Sequence, residues 1–175
     1  MHKTSAQWWA AVKVDAVAFE GWLLDQYRGE VTAAGRIEAL RDAFAAPGSK
    51  AARVLTVIAG QEREHAEWVA GLLRTRGVTP KVEDVPARYW DAVLGQVRDL
   101  ETGAAVGAHA EEMRLERIVA IASDPGAPAD VRAVFARILP QERFHARAFR
   151  ALASAAALEA TAGAHHLGRE LLGLT

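Results

Sequence analysis

The feature that most constrains this chain is that it repeats itself. A shift of 81 residues places Trp9 on Trp90, Glu20 on Glu101, Glu30 on Glu111, Arg36 on Arg117 and Ile37 on Ile118. Further along the shift is 80, and Gln61-Glu62-Arg63-Glu64-His65-Ala66 falls on Gln141-Glu142-Arg143-Phe144-His145-Ala146. Apolar positions follow, with Leu55 on Phe135, Ile58 on Ile138, Val69 on Phe149 and Leu72 on Leu152. A repeat of this length means that one supersecondary unit is used twice. The unit is helical, because Ala, Leu, Arg and Glu dominate and no strand-like alternation occurs.

Breakers cluster at Ala46-Pro47-Gly48-Ser49, where Ser49 suits a helix N-cap, at Gly77-Val78-Thr79-Pro80 through Pro86, and at Ser123-Asp124-Pro125-Gly126-Ala127-Pro128. They predict helices over roughly 6–45, 50–76, 87–122 and 129–158, with a fifth, glycine-interrupted piece near 164–173. The expected architecture is all-α: two related helical hairpins packed as a pseudo-twofold four-helix bundle. At 175 residues the chain is long enough for one domain with a substantial core.

Helical projection puts polar residues where a core is expected. Glu62 lies at the centre of the stripe Leu55, Ile58, Ala59, Ala66, Val69 and Leu73. Glu142 is placed likewise among Phe135, Ile138, Leu139, Ala146 and Phe149. His65 and His145 follow one turn later at the stripe edges. Glu30 is centred among Phe19, Leu23, Tyr27, Ala34 and Ile37, and Glu111 among Leu100, Ala104, Ala108, Leu115 and Ile118. Four carboxylates and two imidazoles thus point into one core. Burying them unpaired is very costly, and no Lys or Arg occupies the centre of these stripes, Arg41 being three turns beyond Glu30. Two divalent cations balance four carboxylates, and Glu-x-x-His sets both side chains on one helix face.

Glu20 and Glu101 form a rival pair, and turn distance separates the two. Glu30 stands 17 residues before the turn near 47 and Glu62 stands 15 after it; Glu111 stands 15 before the turn near 126 and Glu142 stands 16 after it. Glu20 would be misplaced by about 18 Å at the helical rise. Glu20 and Glu101 are expected to pair with arginines or cap the bundle end, and Glu112 is a flanking, weaker candidate ligand. Gly60 and Pro140 are equivalent positions where a packing kink and a π-bulge are both admissible.

These residues resemble the rubrerythrin branch of the ferritin-like superfamily over most of residues 20–155. Arg28-Gly29-Glu30-Val31-Thr32-Ala33-Ala34-Gly35-Arg36 is similar to that family's first-helix Gly-Glu-x-x-Ala-x-x-Arg. Gln61–Ala66 resembles its Gln-Glu-x-Glu-His-Ala, and Glu142–His145 its Glu-x-Phe-His. The resemblance implies a ferritin-like bundle with Glu30, Glu62, His65, Glu111, Glu142 and His145 as ligands of two iron ions. It also implies a long crossover, so the single domain divides into hairpin one at about 6–76, a crossover at about 77–95, hairpin two at about 96–158 and a C-terminal helical tail at about 159–175. Arg88–Leu94 is then expected to form a short separate helix.

Two departures bear on activity. The chain has no cysteine, which excludes disulfides, iron–sulfur clusters and the family's Cys-rich rubredoxin-like electron donor within these residues. The family's extra carboxylate, one turn from the third-helix ligand, has no counterpart, since Ala108 and Arg114 flank Glu111 at three residues. The expected activity is therefore a di-iron oxidoreductase that activates O₂ or peroxide with electrons from an external donor. Iron and mixed manganese–iron suit these ligands equally. Tyr27, one turn before Glu30, is a candidate proton or electron donor. The alternative is a ferroxidase or iron-storage subunit of a larger assembly; a metal-free interaction module leaves four carboxylates uncompensated. Neither Met1 nor Met113 lies on a metal stripe, so no haem is expected. A net charge of −1 gives no pull towards nucleic acid. No apolar run spans a membrane and residues 1–9 do not resemble a signal peptide, so a cytoplasmic homo-oligomer, dimer or larger, is expected. His109, His165 and His166 fall outside the constellation and are expected at the surface.

Overall fold

The computed structural model describes residues 4–83 and 88–172. Its helices are α1 (Ser5–Val12), α2 (Ala16–Phe44), α3 (Lys50–Arg74), α4 (Arg88–Val93, continued by one 3₁₀ turn over Leu94–Gln96), α5 (Leu100–Ala122), α6 (Ala129–Leu152) and α7 (Ala155–Leu171). No strand occurs among the described residues. Residues 84–87 of the expected crossover and 173–175 of the expected tail lie outside the description.

The bundle is α2, α3, α5 and α6, with α2 packed mainly on α3 and α5 on α6. Ser49 caps α3, its hydroxyl accepting from the Ala52 N–H. The first hairpin turn passes through Gly48 at φ 73°, a conformation that costs glycine nothing. The expected single helix 6–45 is two helices. Asp15 interrupts it by accepting from the Val17 and Ala18 N–H groups, which starts α2 afresh after the end of α1. The last stretch also differs: Ser154 caps a continuous α7 that runs through Gly163 and Gly168 rather than beginning near 164. α6 stays helical through Pro140, as α3 does through Gly60.

The core is layered. One apolar cluster joins Trp22 and Leu23 of α2, Val69, Leu72 and Leu73 of α3, Ile118 and Ile121 of α5, and Val131, Phe135 and Ile138 of α6. A second joins Ile37, Leu55, Ile58, Ala59, Ala104, Ala108 and Phe149. Following each helix from one cluster to the other shows that α2 and α6 run one way and α3 and α5 the other. α3 therefore ends where α5 does, and the chain must travel the length of the bundle between them; α4 lies on that crossover. Gly107 lets α5 and α6 close on each other, because a Cβ there would come within 2.7 Å of the Phe149 ring.

α1 and α4 are the repeat's own short helices, and each donates a tryptophan to the opposite hairpin. Arg117 of α5 stacks over Trp8 at 4.6 Å, and its counterpart Arg36 of α2 stacks over Trp90 at 4.3 Å. α1 is also tied to the α5–α6 turn, where Asp124 Oδ2 accepts from Trp9 Nε1 (2.8 Å) and Lys13 Nζ (2.7 Å). α7 covers α5 beside α4. Its docking corrects the surface placement of two histidines: the His109 and His165 rings stack at 4.6 Å and Tyr89 Oη lies 2.8 Å from His165 Nδ1. His166 is exposed as expected.

Candidate metal centre

Between the two apolar clusters each bundle helix carries one polar step inward. These steps are Glu30 on α2, Glu62 and His65 on α3, Glu111 on α5, and Glu142 and His145 on α6. Five are fully buried and Glu111 is 6% exposed, so water does not compensate them. Glu20 and Glu101 are exposed, in keeping with the turn-distance argument. Glu112 is half-exposed and pairs with Arg150 at 2.7 Å, which removes it from the centre. Tyr27 packs, partly buried, against the apolar cluster that contains Trp22.

Two groups form, and each could hold a metal ion: Glu30, Glu62, His65 and Glu142, and Glu62, Glu111, Glu142 and His145. His65 Nδ1 faces Glu142 Oε1 (3.3 Å), Glu30 Oε2 (3.6 Å) and Glu62 Oε2 (3.8 Å). His145 Nδ1 faces Glu62 Oε1 (3.1 Å), Glu142 Oε2 (3.6 Å) and Glu111 Oε1 (4.0 Å). Glu62 and Glu142 thus turn one oxygen to each group, as bridging carboxylates would, while Glu30 and Glu111 belong to one group each.

Both imidazoles are oriented from across the pseudo-twofold axis. His65 Nε2 lies 2.6 Å from Gln141 Oε1 on the other hairpin, and His145 Nε2 lies 2.8 Å from Gln61 Oε1. An amide oxygen at Nε2 keeps a proton on that nitrogen and leaves Nδ1 as the donor atom. Gln26 Nε2 donates to Glu30 Oε1 at 2.6 Å, so the other carboxylate oxygen is the one turned inward. Seven buried atoms of the centre lack a well-formed hydrogen bond: Glu30 Oε2, Glu62 Oε1, His65 Nδ1, Glu111 Oε2, both oxygens of Glu142 and His145 Nδ1. Lone-pair atoms left so in a dry core are what divalent cations satisfy, and the N/O donor set suits iron, manganese or zinc.

The expectation that no basic residue stands beside these carboxylates is overturned by Arg114. Its guanidinium pairs with Glu30 Oε2 through Nη2, approaches Glu142 Oε1 through Nε (3.3 Å) and donates from Nη1 to Glu62 Oε2 (3.4 Å). Arg114 projects only 60° from Glu111, and its long side chain reaches back into the core. Arg41, by contrast, pairs with Asp42 at the surface.

The charges of the centre lean on one another. Burial works against ionisation of Glu62 and Glu142, but Arg114 and the two close imidazoles outweigh it and hold both well below the usual carboxylate range. Burial, reinforced by Glu142 and Glu62, pushes Glu111 well above the usual carboxylate range. Burial lowers His65, yet the close Glu142, Glu30 and Glu62 carboxylates dominate and raise it to about 11. His145 is raised for the same reason, by Glu142 and Glu62.

The rubrerythrin family model matches residues 22–153, a span that contains all six residues. The chain belongs to the rubrerythrin family. The match is to the ferritin-like di-iron domain; no rubredoxin domain is shown. No curated protein and no solved structure matches the chain. Among the described residues no helix is long and apolar enough to cross a membrane. Within this rubrerythrin-family domain, reading the residues in isolation missed Arg114, Gln26 and the orienting role of Gln61 and Gln141. The pairing of the two glutamines by the repeat was the signal available for the last two.

Proposed function

We propose that this protein is a non-haem dimetal oxidoreductase that reacts with O₂ or peroxide. Glu30 and His65 would hold one ion and Glu111 and His145 the other, with Glu62 and Glu142 each offering an oxygen to both. The observation that carries this is the pair of buried donor groups that share Glu62 and Glu142, with Nδ1 of each histidine turned towards the carboxylate oxygens. Iron, or iron with manganese, supplies the redox couple when bound.

The chain's own residues set the conditions. The apolar clusters on either side keep water away from the donor atoms. Gln61 and Gln141 fix the imidazole tautomers, and Arg114 adds a positive charge to a strongly anionic pocket. Tyr27, on the centre's face of α2, is proposed as a proton or electron donor. The sequence has no cysteine to hold a thiolate-bound iron, so electrons come from a donor outside this domain.

Metal analysis of the purified protein, followed by stopped-flow oxidation of the Fe²⁺-loaded form, tests the proposal. Two ions per chain and rapid oxidation by O₂ or peroxide are expected. Absence of bound iron and manganese, or an Fe²⁺ form inert to both oxidants, would refute it.

A further inference from the structure

Resting on the dimetal reading above, we infer that the two metal positions are unequal. Arg114 competes with the ion at the His65 position, so the His145 position fills first and more tightly.

The argument is one of shared atoms. Three oxygens face His65 Nδ1: Glu30 Oε2, Glu62 Oε2 and Glu142 Oε1. The same three receive the Arg114 guanidinium, through Nη2, Nη1 and Nε respectively. The oxygens that face His145 are the others, Glu62 Oε1, Glu142 Oε2 and Glu111 Oε1. A cation at the His65 position must therefore take its lone pairs from an ionic neighbour already using them. Among the described residues, the three oxygens facing His145 carry no such ion pair, so a cation there would displace no side chain.

The repeat sharpens the contrast, because it supplies an internal control. Shifting by 81 puts Arg114 on Ala33 and Gln26 on Gly107. The repeat positions of the two groups that touch Glu30, a guanidinium on one oxygen and an amide on the other, thus supply neither to Glu111. Six ligand residues obey the twofold relation and these two neighbours break it, both on the same side. The asymmetry belongs to the surroundings of the ligands, not to the ligands themselves.

Hydrogen bonds to charged groups are strong enough that this competition weakens the His65 position on the order of ten- to a hundredfold. Anaerobic titration with Co²⁺, read by calorimetry and by its visible absorption, measures both steps. The native protein is expected to bind one ion tightly and a second ten- to a hundredfold more weakly. His65→Ala should abolish the weak step alone and His145→Ala the tight step. Arg114→Gln should bring the second step close to the first, with Arg114→Lys intermediate because an ammonium cannot engage three carboxylates in one plane. Two equal steps in the native protein overturn the inference, as do loss of the tight step in His65→Ala or an unchanged weak step in Arg114→Gln. The native and histidine measurements decide the matter even if the arginine variants fail to fold. Failure of the native protein to bind any Co²⁺ overturns the dimetal reading itself, and the two failures are thereby distinguished.

Discussion

Gln141 is on α6, yet its side chain serves a histidine on α3, and removing it tests that crossed arrangement directly. Gln141→Leu keeps the volume and the helix propensity of the position while deleting the acceptor 2.6 Å from His65 Nε2. His65 is fully buried, so its Nε2–H is left without water to replace the amide oxygen. An abandoned buried donor costs about 1–3 kcal/mol. At about 1.4 kcal/mol per decade this weakens the ion held by His65 roughly 5- to 150-fold, in line with the ~10–100-fold effect of losing a partner to a metal-bound histidine. Competition between the protein and a chromophoric chelator for Co²⁺ reads the loss, with far-ultraviolet circular dichroism confirming the fold. Gln61→Leu should impose the same loss on the other ion, and Glu64→Gln, at an exposed position of α3, should change neither. Identity of the affected ion follows from comparison with His65→Ala and His145→Ala. Affinities within twofold of the native protein for both ions, or Gln141→Leu acting on the ion lost in His145→Ala, would refute the crossed support.

Phe135→Ala removes a ring that is fully buried against Trp22, with centroids 5.4 Å apart. The expected loss is about 3–5 kcal/mol, seen as a lower melting temperature of the metal-free protein; a shift under about 2 °C would contradict the packing described. Asp124→Ala should release α1, because Trp9 and Lys13 both bond to that carboxylate. Limited proteolysis before residue 15 should then accelerate while the α2–α6 bundle keeps its melting temperature, and unchanged proteolysis would count against the anchor. The docking of α7 should weaken with acid. Burial, with the nearby His109, Arg169 and His166 charges, lowers His165 to about 4. Below its ordinary value near 6.5 the unfolded chain binds more protons than the folded one, so stability rises with pH from about 4 to 6.5 and is lost on acidification through that window. Hydrogen exchange of α7 amides should follow this trend in the native protein and lose it in His165→Gln; equal pH dependence in both would remove His165 from the account.

The parts of the fold that could be read from the chain are those governed by periodicity. Leu55, Ile58, Phe135 and Ile138 are fully buried where the stripes put them, and Glu30 rather than Glu20 reaches the centre because helix rise alone decides the matter. Features that a helical projection cannot carry were misread or left unassigned. The break before α2 depends on one capping carboxylate, Asp15, in an apolar run with no Gly or Pro to mark it. His109 and His165 look like surface residues until α7 is laid on α5, a tertiary fact with no local signature. Arg114 lies off the stripe by its Cα direction and inside the core by its guanidinium.

The repeat explains why the six buried residues of the centre are legible in the sequence and their neighbours are not. A pseudo-twofold axis requires that whatever one hairpin offers the centre, the other offers too, so Glu-x-x-His appears twice and each copy vouches for the other. The supporting contacts run between hairpins: Gln61 to His145 and Gln141 to His65 obey the same symmetry, and Trp8 to Arg117 and Trp90 to Arg36 do so for the arginines alone, since Trp8 falls on Tyr89 in the repeat. Crossed contacts lock the two hairpins together at the centre and at its flanks, and they are invisible within either hairpin alone. Arg114 has no symmetric counterpart at all, since Ala33 stands at its repeat position. Symmetry built the paired Glu and His set, and Arg114 is the one cation at the centre that departs from it, on the oxygens that face His65.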